Sequence, residues 1–223
     1  MRIQSTLQPP RNRNSATAKA LVPRADGSRG VKTEDTVEFA DDKVSQTLAG
    51  LGSAAALSTV GAAYPSTWLH EMGHAKMIGL MYDGAKPTVE VFPFKGGVTR
   101  WQLAPLSDVG KKFGADGARA MVSAAGTLVD MGVATASFGV GFKMRKKHPV
   151  VGTALMGFGG LTVLNSIAYA ATAVGKNVAE LAKSGNDFAG IAVRAGVPPL
   201  ASIAIMAAIL PLEYAALKYL ENH

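Results

Sequence analysis

The sequence predicts a mainly α-helical, polytopic membrane bundle of about four transmembrane helices, with a small β-hairpin after the first. Three observations carry this prediction. The chain contains four long apolar stretches almost free of charge, short basic runs punctuate them, and a β-prone segment with a glycine pair follows the first. Apolar residues make up 48% of the 223 residues and charged residues only 17%, below the usual quarter for soluble domains. A helix needs about 20 apolar residues to cross the hydrocarbon core, and all four stretches are about that long.

The first stretch runs from Thr47 to Leu69 without an acidic, basic or histidine side chain and extends to about Tyr82. The second is Ala120 to Phe142, interrupted by Asp130 alone; the third is Pro149 to Gly175; the fourth is Ala195 to Leu212, with a start near Phe188. They are rich in Gly, Ala, Ser and Thr, which lets helices approach closely in lipid. The run Lys143–Lys147 is basic punctuation of the kind that flanks membrane segments. Residues 1–42 are polar, Pro- and Arg-rich and lack an apolar core, so they read as a disordered N-terminal arm ahead of a membrane domain over 43–223.

Composition excludes some functions. With no cysteine, disulfides, thiolate metal sites and thiol catalysis are ruled out. The net charge of +7 does not indicate nucleic acid, because the basic residues lie in the arm and in interhelical loops without interleaved aromatics. A lipid bilayer is the better partner for such flanks.

Thr88–Phe94 and Val98–Leu103 are β-prone runs, and Lys95-Gly96-Gly97 between them is a plausible hairpin turn. A strand edge formed by Gly96, Gly97 and Val98 could hold an extended peptide by main-chain hydrogen bonds. Asp108 and Asp116 fall in the polar loop that follows, where solvated charge is expected. Trp68 and Trp101 suit interfacial anchoring, and His148, beside the basic run, reads as an interfacial loop residue.

The chemistry sits at the end of the first stretch, in His70-Glu71-Met72-Gly73-His74. On a helix, residues i and i+4 lie about 40° apart around the axis, so both imidazoles face one point. Glu71 lies about 60° from His74, within reach of a water held there. This is the H-E-x-x-H arrangement: two zinc ligands and a general base. A stable catalytic zinc site needs a third protein ligand. Asp130 and Asp187 are the acids placed within or at the edge of later apolar segments.

Together, the apolar HEMGH helix, the β-hairpin and Ala124-Ala-Gly-Thr-Leu-Val-Asp130 resemble the site-2 protease family of intramembrane zinc metallopeptidases. The likeness covers roughly residues 47–190. That family's second motif usually reads Ala-Gly-Pro, two residues, then Asn; Thr127 stands for the proline and Asp130 for the asparagine. Its usual Leu-Asp-Gly triplet is missing. Asn165, followed later by Asn186-Asp187, is similar to compact bacterial relatives in which an Asn-Asp pair opens the last helix. The resemblance implies a multi-pass zinc endopeptidase of the bacterial inner membrane that cleaves membrane-embedded or membrane-adjacent protein or peptide substrates. It implies His70, His74 and Asp187 as Zn²⁺ ligands and Glu71 as base on the zinc-bound water. Asp130, Asn186 and Asn165 are then supporting residues, with Asp130 the rival third ligand and Asp187 alternatively a helix-start acid. A metal-binding transporter or a non-proteolytic regulatory relative could use the same ligands.

Overall fold

The computed structural model describes residues 34–223 and is mainly helical, with one antiparallel hairpin among them. Helices α1 (Glu34–Ala63) and α2 (Pro65–Met81) come first, then strands β1 (Thr88–Phe92) and β2 (Gly96–Arg100). Helices α3 (Asp108–Met144), α4 (Pro149–Ala171), α5 (Val178–Lys183), α6 (Asp187–Ala195) and α7 (Pro199–Asn222) follow. Helices α3, α4 and α7 are long and apolar enough to cross a membrane. Leu200, Ile205 and Leu212 of α7 are each more than 60% exposed within the fold, a surface that suits lipid and not water. The chain is thus membrane-associated by the character of its helices.

Several boundaries differ from those the sequence predicts, each for a local reason. Residues 1–33 of the expected arm lie outside the described residues, and α1 already begins at Glu34. The first apolar stretch is two helices. Pro65 has no N–H to continue α1 and instead occupies the first turn of α2, while Tyr64 leaves helical geometry at φ −155°, ψ −58°. Asp108 and Asp116 belong to α3, because Ser107 caps that helix by accepting from Gly110 N–H at 3.0 Å. The helix bends at Gly114, whose φ of 72° only glycine adopts freely. The fourth apolar stretch does not extend back to Phe188 in one helix. Gly196 ends α6 in the left-handed conformation at φ 69°, and α7 starts afresh at Pro199.

The hairpin turn also shifts. Lys95 N–H bonds Phe92 carbonyl at 2.9 Å and Phe94 takes φ 59°, so the turn is Pro93-Phe94-Lys95. Gly96 and Gly97 lie within β2, opposite Phe92 and Val91. Two bonds, Asp83 N–H to Pro105 O and Ser107 N–H to Met81 O, each 2.9 Å, pinch the hairpin's base against the end of α2.

Small residues set the helix spacing. A Cβ on Gly141 of α3 would lie 2.7 Å from Gly152 O and 2.8 Å from Met156 N on α4. Gly159 of α4 meets Ala134 O in the same way, at 2.6 Å. On the other side of α4, Gly50 sits against Thr153 and Ala54 against Gly157, so α1 and α4 run parallel. Helix α2 runs antiparallel to α3, Gly73 meeting Ala125 and Met81 meeting Gly110. Met131, Ala134, Val163, Phe188 and Met206 form the core that joins α3, α4, α6 and α7. At the far end, Glu221 of α7 pairs with Arg145 at 2.6 Å and Lys146 at 2.7 Å, tying α7 to the α3–α4 connection.

Gly141→Val tests this seam. Its added carbons meet backbone atoms that cannot move aside, so the expected loss of stability is about 1–3 kcal/mol. Thermal unfolding in detergent micelles reads it, and an unchanged midpoint would refute a close α3–α4 contact.

Candidate metal centre

Four elements bring the site together. Helix α2 presents His70 and His74 toward α3 and Glu71 toward β2, and the α2–α3 approach is close because Gly73 and Gly126 at that seam are both glycine. His70 Nδ1–H donates to Asp130 Oδ2 at 2.8 Å, and His74 Nδ1–H donates to the Val122 carbonyl at 2.6 Å. Both of these partners are acceptors, so each ring carries its proton on Nδ1. The two Nε2 atoms therefore present lone pairs, and they lie 3.1 Å apart. Asp187 Oδ2 adds a third acceptor, 3.1 Å from His70 Nε2 and 3.3 Å from His74 Nε2.

With both rings neutral, three lone-pair atoms converge and repel one another, and a positive charge between them, a metal ion or a proton on one Nε2, relieves that repulsion. Protonating both rings instead would set two imidazolium nitrogens at the same 3.1 Å separation. His70, His74 and Asp187 could thus hold a metal ion, their ligand atoms lying within 4.8 Å of one another. Gly126 keeps this space clear. A Cβ at that position would stand 2.5 Å from both Nε2 atoms.

Asp187 reaches the histidines because Asn186 anchors the start of α6. The Asn186 side-chain oxygen accepts from Phe188 N–H at 2.9 Å and Ala189 N–H at 3.2 Å. Its amide donates to Thr172 Oγ1 at 2.9 Å and to the Tyr169 carbonyl at 3.3 Å. One buried side chain thereby caps α6 and bolts it to the end of α4. Asp187 serves the helix start and the histidine pair at once.

Asp130 stands on the other edge of the His70 ring from Asp187, so it orients the imidazole and does not join the three converging atoms. Carboxylates in this position are a regular feature of metal-binding histidines. Asn165 lines the adjoining cavity, one helical turn before Tyr169. His148 is outside this group, at the N-cap position before α4.

Glu71 is 7% exposed. Thr99 Oγ1 of β2 donates to its Oε2 at 2.6 Å, and a Cβ on Gly97 would press on its Cγ at 2.5 Å. This close approach explains why a glycine occupies a strand position that propensity disfavours. A cavity of about 970 Å³ opens beside the group, lined by His70, Glu71, His74, Asp187, β2 from Gly96 to Thr99, and the Asn165–Tyr169 face of α4.

Sequence reasoning did not find Thr99, Gly126 or Tyr169. Gly126 falls inside the Ala124–Asp130 motif, and a glycine after two alanines in an apolar helix was its available signal. Thr99 and Tyr169 depend on how distant elements meet and carry no local mark.

Isothermal zinc titration of the purified chain tests the geometry. Asp187→Ala and Gly126→Ala are expected to lose metal binding while keeping helical content. Asp130→Asn keeps an acceptor for His70 Nδ1–H and stays near the parent, whereas Asp130→Ala weakens binding by roughly 10–100-fold. Loss in Asp130→Asn with retention in Asp187→Ala would move the site into α3. A scan against protein-family models gives no match to the chain, and searches of curated proteins and of solved structures give none either.

Proposed function

We propose that the chain is an intramembrane zinc metallopeptidase of the site-2 protease type, hydrolysing peptide bonds of membrane-embedded or membrane-adjacent substrates. The observation that carries this reading is the convergence of His70 Nε2, His74 Nε2 and Asp187 Oδ2 beside the carboxylate of Glu71 in one cavity. An all-nitrogen-and-oxygen set of two imidazoles and one carboxylate matches the ligands of hydrolytic zinc sites, which leave a fourth position open. His70, His74 and Asp187 would hold the zinc, which when bound would supply Lewis acidity to a carbonyl and to water.

Glu71 does the proton work. Thr99 holds Oε2, which leaves Oε1 to take the water's proton as its oxygen bonds to the carbonyl carbon. The carbonyl π pair moves onto oxygen, then returns as the C–N bond breaks, and Glu71 hands its proton to the departing amine. Among the described residues β2 pairs with β1 on one edge only, and its residues Gly96, Gly97 and Val98 line the cavity. An extended substrate segment can pair there through main-chain hydrogen bonds. Hydroxyls of Ser66, Thr67, Thr162 and Ser166 give the cavity a polar lining that suits the water the reaction consumes.

Glu71→Gln separates hydrolysis from mere metal binding. In detergent micelles the variant is expected to keep stoichiometric zinc and to lose cleavage of fluorescein-labelled casein, while the parent retains both. A parent that binds zinc and cleaves nothing would favour a non-proteolytic metal site. Thr99→Val is expected to lower kcat by about 10-fold with zinc affinity unchanged, since general-base help is worth ~10²–10⁴ in total and the base is displaced, not removed. Steady-state kinetics on the same casein measures it.

A further inference from the structure

Tyr169 lines the cavity with a phenolic proton that no acceptor among the described residues claims, and its ring places that proton beside Asp187. It stands on α4 and lines the same cavity as His70, Glu71 and Asp187. Its Oη accepts the backbone N–H of Asp187 at 3.3 Å, so that bond uses a lone pair and leaves the phenolic proton unspent. The residue is held through its ring and through its backbone. It packs edge-on against Phe188, with centroids 5.8 Å apart at 71°, and Phe188 is only 1% exposed. Its own backbone carbonyl accepts from Asn186 Nδ2. The residue remains 38% exposed, open to whatever enters the cavity. A fixed neutral donor next to the carboxylate of a candidate metal group is suited to meet negative charge as it develops on a substrate.

We infer that Tyr169 is a catalytic residue whose hydroxyl donates a hydrogen bond to the carbonyl oxygen of the scissile bond as that oxygen becomes an oxyanion. This rests on the peptidase reading. No bond of the tyrosine breaks. The water's oxygen bonds to the carbonyl carbon, the π pair moves onto the carbonyl oxygen, and Tyr169 O–H stabilises that charge. When the pair returns and the C–N bond opens, the amine takes its proton from Glu71, and the tyrosine is unchanged. Such a donor strengthens from ground state to transition state, so its removal falls on kcat and not on KM.

The test compares the full chain with Tyr169→Phe, which keeps the ring against Phe188 and removes only the hydroxyl. Both are loaded with zinc in detergent micelles. Fluorescein-labelled casein gives kcat and KM, and phosphoramidon, whose tetrahedral phosphoryl oxygens resemble the oxyanion, gives binding affinity. Zinc titration and thermal unfolding complete the set. Expected in Tyr169→Phe are a roughly 100-fold lower kcat, an unchanged KM, weaker phosphoramidon binding, and unchanged zinc affinity and melting temperature. Full kcat in the variant overturns the inference. So does a parallel fall in zinc affinity and melting temperature, which would make Tyr169 a support for the start of α6. Should the parent bind zinc but leave casein intact, the peptidase reading fails, and phosphoramidon alone decides the role of the hydroxyl. In that case equal affinity in parent and variant, or no binding by the parent, overturns it.

Discussion

Two hydrogen bonds made on the far edges of His70 and His74 determine what happens on their near edges. Because Asp130 and the Val122 carbonyl accept from the Nδ1 protons, the Nε2 lone pairs of the neutral rings face one another. Adding Asp187 makes the arrangement more crowded with negative density, not less. A folded chain holds such a cluster only with strong support around it or a cation within it. The support is visible: a glycine where a side chain would intrude, an asparagine bolting α6 to α4, and a capped α3 that brings Val122 and Asp130 into line.

The same constraint explains the distribution of small residues. Helices packed in an apolar environment gain little by hiding apolar surface from lipid, so close van der Waals approach must hold them. The α3–α4, α1–α4 and α2–α3 seams each have a glycine against backbone or a short side chain. Where the seam between α2 and α3 passes the histidines, the glycine at 126 serves packing and metal access together. Stability and site geometry therefore share residues, and changes at this seam act on both.

Much of this was legible in the sequence where the signal is local. Helix α4 follows from an uninterrupted apolar run, and the part of α3 from Ala120 onward from a run broken by Asp130 alone. The His70, Glu71, His74 face follows from helical spacing alone, since three residues within five positions need no tertiary information to be neighbours. Asp187 was legible in part, as an acid following a good capping asparagine. What stayed hidden is set by contacts between distant segments. Thr99 looks like any strand threonine until β2 folds over Glu71. Gly96 and Gly97 read as a turn because glycine pairs usually make one, yet Pro93 and Phe94 close the turn, Gly96 takes a positive φ at the start of β2, and Gly97 yields space to the Glu71 side chain. The break between α6 and α7 was written in Gly196-Val-Pro-Pro199, but hydropathy across it hid the stop.

The directions of the helices carry a further meaning. Helix α1 runs parallel to α4, and Glu221 near the end of α7 sits on the α3–α4 connection. The Glu34 end of α1, the 145–148 connection and the tail of α7 thus gather at one end of the bundle. The hairpin, the start of α3 and the α5–α6 segment gather at the other. Set across a bilayer, such a bundle is sided. The base of the hairpin and the asparagine-capped start of α6 lie at the end opposite the basic connection, so a molecule reaching the histidines past the hairpin approaches from that end of the bundle.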